Sequence, residues 1–207
     1  MKTRDRILET ARLLFNEEGL AQVSTNRVAA ELDISPGNLH YHFKRKEDLV
    51  AWLLRRFAET LRPFGDAHRS VEALDDLWVS MHLALEAVDH YRFLLRDVDY
   101  LLREFPALLR PMRELTAQRV TTMRSVLSKL LDTGVIAATD EQLDTLALHT
   151  ILASTAWHSF ENLLPPPQPP APSGIHAAAY HLLVLLSPYV DEESRHYLAY
   201  LRSRYAK

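Results

Sequence analysis

The sequence predicts an all-α chain in two parts, a small three-helix module at the N-terminus followed by a larger helical domain. Three observations carry this reading. Apolar residues recur at three- and four-residue intervals along most of the chain, no stretch shows the two-residue alternation of a strand, and helix start and stop residues punctuate the pattern. At 207 residues the chain is long enough for a real core in each part.

Ile7, Leu8, Ala11, Leu14 and Phe15 lay one apolar stripe on a first helix, which Gly19 can end as a C-terminal cap. Val28, Ala29 and Leu32 mark a short second helix with Ser24 or Thr25 placed to cap it, and Asp33-Ile34 turns the chain. Ser35-Pro36 opens a third helix, because Ser caps and Pro suits the first helical position; Leu39 and Phe43 point it inward. A fourth helix begins near Lys46 and carries Leu49, Val50, Leu53, Leu54, Phe57 and Leu61 on one face, with Pro63-Phe64-Gly65 expected to break it.

Helices are expected beyond this break near 70–89, 90–104, 107–132, 140–163, 175–187 and 191–205. Gly134 reads as a helix stop, and Thr139 with Gln142 as a capping box. Pro165 to Pro172 contains six prolines and reads as a stiff, exposed connector. The expected domains are 1–46 and 47–207.

Composition narrows the function. With no cysteine, disulfides, thiolate metal sites and cysteine nucleophiles are excluded, and a reducing cytoplasmic setting fits. The charged start, Lys2-Thr3-Arg4-Asp5-Arg6, lacks a secretory signal's apolar run, and the longest apolar run, Leu182 to Leu186, is too short to span a bilayer, so no membrane association is expected. A net charge of −3 argues against nucleic-acid binding through bulk charge, so any such binding is local. The ten histidines include no pair at the four-residue helical spacing of a strong metal site, and no metal or cofactor is expected. Five scattered glycines make no phosphate loop, and no nucleophile elbow appears, so no catalytic residue is assigned.

Two short helices joined by a tight turn and packed on a longer one make a helix-turn-helix unit, whose second helix lies in the major groove of DNA. Once the apolar residues turn inward, Asn26, Arg27, Pro36, Gly37, Asn38, His40, Tyr41 and His42 face outward. A helix this brief, dense in Asn, His and Tyr, suits hydrogen bonds to phosphates and base edges, with Asn38 and Arg27 as the readers of bases. Tyr41 has two readings, an outward contact or a ring packed on the first helix. Lys46 opposes the dipole of the helix it opens, at a cost of up to ~1 kcal/mol, and a phosphate on the free amides there would resolve the conflict.

The run Ser24-Thr25-Asn26-Arg27-Val28-Ala29 and its continuation Ser35-Pro36-Gly37-Asn38-Leu39-His40-Tyr41-His42-Phe43-Lys44-Arg45-Lys46-Glu47-Asp48-Leu49 resemble the DNA-binding signature of the TetR family. The resemblance implies that Thr25 and Lys46 clamp phosphates, that Ser35 to His42 enter the major groove, and that a homodimer binds a palindromic double-stranded operator. This chain carries Asp33 where the turn usually has glycine, and Asp tolerates the left-handed conformation better than most residues. It carries His40 where the family has a phosphate-contacting tyrosine. The opening residues, Pro36-Gly37-Asn38-Leu39 and Tyr91-Arg92-Phe93 look most like a subgroup that includes regulators of polyhydroxyalkanoate genes, which implies an acyl or acyl-CoA effector.

In the second part, Trp78, His82, Glu86, Tyr91, Tyr100, His149, Trp157 and His158 are polar or amphipathic residues set among apolar faces, the pattern of an apolar pocket with polar anchors for a small-molecule effector. Leu146, Ile151, Leu152, Ala153, Ala156, Trp157 and Phe160, with Ala177, Ala178, Ala179, Leu182 and Leu183, mark two helices that the resemblance pairs with their copies in a four-helix bundle. A ligand-controlled repressor is therefore the expected function. Its alternatives are a hydrolase of acyl esters or thioesters using a His82/Glu86 pair, and a ligand-independent DNA-binding structural protein.

Overall fold

The computed structural model describes residues 3–67, 71, 73–165 and 174–205. Most of the proline-rich connector, residues 166–172, and Lys2 lie outside these. Every regular element among the described residues is helical, and one isolated antiparallel bridge joins Ile136 to Val190.

Close packing groups the chain into two compact units, Met1–Thr60 with Tyr91–Glu114, and Leu61–His90 with Leu115–Lys207. This is a division by packing and differs from the functional division expected at 46/47.

The first unit contains α1 (Thr3–Glu18), α2 (Thr25–Glu31), α3 (Pro36–His42) and the start of α4 (Lys46–Ala67). Most of the expected core is present: Ile7, Leu8, Ala11, Leu14 and Phe15 of α1 are buried together with Val28, Ala29, Leu39, Phe43, Leu49, Val50, Leu53 and Phe57, whereas Leu32 and Ile34 at the turn are half-buried. Local punctuation behaves as the residue types require. Ser24 accepts from the Arg27 amide at 3.1 Å and Ser35 from the Asn38 amide at 3.2 Å, so each short helix has a satisfied N-terminus. At the turn Asp33 takes φ 54°, its amide bonds to Ala30 O and the next amide, Ile34, to Ala29 O. That is the paired carbonyl capping of a left-handed helix end, achieved without glycine.

The chain returns to this unit as α6 (Arg92–Arg96), α7 (Val98–Glu104), a 3-10 turn (Pro106–Leu108) and the start of α8 (Leu109–Asp132). The single helix expected over 90–104 is thus two, interrupted at Asp97. The cause is tertiary: Asp97 turns its carboxylate to the Leu20 amide at 2.7 Å and to Arg96, while Asn16 Oδ1 accepts the Phe93 amide at 3.1 Å.

Helix α4 corrects a second expectation, because it continues through Pro63 to Ala67. Proline removes one i→i−4 bond, and the carbonyl that loses it belongs to Glu59. Glu59 and Pro63 are both exposed, so the freed carbonyl is open to water and the helix survives.

The second unit contains α5 (Leu74–His90), most of α8, α9 (Asp140–Glu161), α10 (Gly174–Leu186) and α11 (Glu192–Tyr205). Leu77, Met81 and Leu85 of α5, Leu127 and Leu130 of α8, Leu143 and Leu146 of α9, Leu182 and Leu183 of α10, and Leu198 of α11 form one core. The Thr139–Gln142 capping box is present with both bonds made, at 2.8 and 3.2 Å.

Candidate nucleic-acid interface and sensor residues

Helix α3 buries only Leu39, since seven residues make less than two turns beyond its cap and one apolar side chain is enough to seat it. Pro36, Gly37, Asn38, His40 and Tyr41 are all exposed, as are Ser35 at its cap and Asn26 on α2; His42 and Thr25 are half-buried. Tyr41 is 85% exposed and meets His42 edge-on at 5.2 Å, so its ring packs outward and not on α1. His40 Nδ1 lies 3.3 Å from the Lys44 carbonyl.

Two expected DNA contacts are engaged within the protein. Arg27 donates to Glu31 at 2.7 Å and to Glu18 at 2.8 Å. Lys46 turns its ammonium to the Leu20 carbonyl, 5.3 Å from the ring centre of Tyr100 and 5.8 Å from that of Phe15. Burial lowers its pKa, opposed by the charges of Asp97 and Glu104. Sequence reasoning missed this arrangement because Leu20, Asp97 and Tyr100 approach Lys46 only in the folded chain.

A cationic flank was also missed. The Arg4 guanidinium lies 3.8 Å from the ring centre of Trp52, and Arg55 lies 4.6 Å from the same ring. Beside them a cleft of about 250 Å³ is lined by Tyr41, Lys44, Trp52 and Arg55 among others. Spacing could have pointed to it: Trp52 and Arg55 stand three apart and share a helix face.

Comparison with known proteins decides the family. Residues 56–198 match a family model described as a bacterial transcriptional repressor, and residues 7–53 match that of bacterial regulatory proteins of the tetR family. The chain belongs to the TetR family. A solved TetR-family regulator from Marinobacter aquaeolei VT8 is 30% identical over the whole of both chains, with a TM-score of 0.88. A solved γ-butyrolactone receptor, 19% identical, shares the fold over 99% of this chain and 96% of its own, with a TM-score of 0.74. An HTH-type transcriptional regulator of Staphylococcus aureus (strain bovine RF122 / ET3-1) is 45% identical over 60 residues; the match spans 29% of this chain and about a third, 32%, of that relative's length.

The matched models describe bacterial transcriptional repressors and regulatory proteins, which gives the hydrolase alternative no support. The His82/Glu86 pair it rested on lies on α5 with a ring nitrogen 3.4 Å from a carboxylate that is 53% exposed.

The residues expected to line the sensor pocket fall into two groups. Tyr91 and Tyr100 belong to the first unit, where Tyr91 is buried against Phe57 at 5.5 Å and Tyr100 meets Phe105 edge-on at 6.3 Å. Trp78, His82, Glu86, His149, Trp157 and His158 belong to the second. There Trp78 stacks beside His82 at 5.5 Å, Trp157 lies on His181 at 4.5 Å, His158 pairs with Asp89 at 2.8 Å, and His149 is exposed.

The two expected pairing helices also divide. On α10 Ala178, Ala179, Leu182 and Leu183 are buried in the core of their own unit, and Ala177 is buried beside them on the helix. On α9 Leu146 and Ile151 are buried too, whereas Leu148, Leu152 and Phe160 remain 54%, 58% and 52% exposed. A helix has several faces, and periodicity alone does not say which neighbour each one meets. No helix among the described residues is long and apolar enough to cross a membrane.

Proposed function

We propose that this chain is a transcriptional regulator, more specifically a repressor, that binds a palindromic operator as a homodimer and is controlled by a small apolar or acyl-type molecule. One observation carries the reading: α3 is a short helix that buries one residue and presents Asn38, His40 and Tyr41 outward from a well-packed three-helix module. Such a helix has the width and donor–acceptor content for the major groove.

In this reading residues 1–46 are the DNA-binding domain and 47–207 the effector and dimerisation domain. Asn38 reads a base, and Ser35, Pro36, Gly37, Tyr41, His42 and His40 line the groove. Thr25, Asn26 and Lys46 hold phosphates. Arg27 reaches DNA by leaving Glu18 and Glu31, a small cost because exposed ion pairs are weak and screened by salt. The exposed Leu148, Leu152 and Phe160 of α9 meet their copies across a two-fold axis, which places the two α3 helices about 34–36 Å apart, one turn of duplex.

The effector acts through helices that belong to both units. Along the chain, α4 (Lys46–Ala67) spans the division at 60/61, and α6 of the first unit follows α5 of the second. A ligand that favours one arrangement of the second unit shifts the population of α4 settings and so the separation of the two α3 helices. The γ-butyrolactone receptor, by its description, binds a small molecule on the same fold, which supports this reading.

The test is selection of duplexes from a random library, followed by anisotropy titration of the winning sequence and of a scrambled one. Recovery of an inverted repeat, bound by two chains, is expected. Equal affinity for selected and scrambled duplexes would sink the proposal.

A further inference from the structure

Arg119 stands on α8, and its guanidinium donates to Thr155 Oγ1 at 3.0 Å and Ser154 Oγ at 3.1 Å on α9. Both acceptors are neutral. Ser154 is itself buried and gives its own proton to the Ile151 carbonyl at 3.0 Å, so its oxygen is oriented to accept. The neighbouring cations are arranged differently. Arg124, also on α8, meets Asp140 and Asp144 at 2.7 and 2.6 Å, and His158, one helical turn beyond Ser154, meets Asp89. No carboxylate among the described residues offsets Arg119, and desolvation lowers its pKa to about 10.

Arg119 is half-buried, and a cation partly withdrawn from water and facing two hydroxyls is under-compensated, because neutral acceptors do not replace the solvation it has lost. Tying α8 to α9 does not require the charge, since a neutral amide donates to hydroxyls as well. The two hydroxyls engage two of the five N–H donors of the fork, and none of the five meets an opposite charge among the described residues. Nearby on α9, Trp157 has its indole Nε1 buried with no acceptor. Trp157 and Ser154 are three residues apart and share a face, so this stretch of α9 is rich in donors and short of acceptors.

We propose that Arg119 anchors a carboxylate of the molecule that the second unit binds, so that the effector is an apolar molecule bearing an acid group. This rests on the effector reading above and adds the chemical class of the ligand. Ser154 and Thr155 position the guanidinium from behind, and the carboxylate supplies the missing charge through the paired N–H groups of the fork.

The test titrates the full-length chain, Arg119→Met and Arg119→Lys by calorimetry with straight-chain carboxylates from butyrate to palmitate and with primary alcohols of the same lengths. For the best length, the carboxylate is expected to bind about tenfold or more tightly than the alcohol, the range of a hydrogen bond to a charged group. Arg119→Met equalises the two and Arg119→Lys keeps part of the preference. The proposal is overturned if the wild type prefers no carboxylate at any length or if the preference survives in Arg119→Met. Loss of the dimer in Arg119→Met also overturns it, since Arg119 would then be a subunit contact. Operator anisotropy in the same samples separates the two readings. Arg119-dependent carboxylate binding that leaves operator affinity unchanged keeps this site and removes the effector reading. Operator release by a neutral alcohol alone does the reverse.

Discussion

Asp97 Oδ2 accepts the backbone N–H of Leu20 at 2.7 Å, across 77 positions of sequence, and so satisfies a donor just past the end of α1. Arg96, beside it, donates to the carbonyls of Phe15 and Asn16 at 2.8 Å each. The segment α6–α7 is thereby fastened to α1, the helix against which α2 packs.

The fastening is pH-dependent. Burial pushes the Asp97 carboxyl up, but the Arg96 guanidinium, the Leu20 amide and the charge of Lys46 outweigh it and hold the pKa below the ordinary 3.8. A depressed carboxyl contributes stability that is complete above its unfolded value and is lost as pH falls below about 3.8 through the folded value. Urea titrations of the wild type and Asp97→Asn across pH 2 to 7 should therefore converge at the acid end, with the wild type ahead above it. Asp97→Ala, which leaves the Leu20 amide without its acceptor, should cost about 1–3 kcal/mol at neutral pH.

Asn38→Ala and Lys46→Ala should fail in different ways. Removing a base contact costs about 1–3 kcal/mol of discrimination, so Asn38→Ala should bind selected and scrambled duplexes more nearly alike. Removing a phosphate contact should weaken both equally and reduce the salt slope by about 1. Anisotropy over a salt series reads both quantities, and the opposite pattern would exchange the two roles.

Leu148→Glu with Leu152→Glu places two charges on the exposed face of α9 without touching the core. Light scattering is expected to show a monomer with an unchanged far-ultraviolet spectrum. An intact dimer would place the subunit contact elsewhere.

Asp33 holds a left-handed conformation at the end of α2. A β-branched residue there is strained by about 1–2 kcal/mol, so Asp33→Val should lose that much stability and lower the urea midpoint by that energy divided by the slope, with the slope unchanged. Asp33→Gly should not lower it.

The elements of the DNA-reading module were legible because their signals are local. Ser24, Asp33, Ser35 and Pro36 each act on backbone within a few residues, and the stripe on α1 needs only helical periodicity. The second unit was legible as helices and much less as a site. Tyr91 and Tyr100 read like Trp78 and Trp157 along the chain, yet they belong to a different unit.

By itself the sequence determined the helical class, the caps and turn of the reading module, and the exposed chemistry of α3, since these follow from contacts between near neighbours. Only the tertiary structure decided that α4 continues through Pro63, that the chain bends at Asp97, that Lys46 turns to Leu20 and Tyr100, and that Arg119 meets hydroxyls where Arg124 meets carboxylates. Each depends on which distant side chain arrives opposite, and periodicity specifies that a face is covered without specifying what covers it.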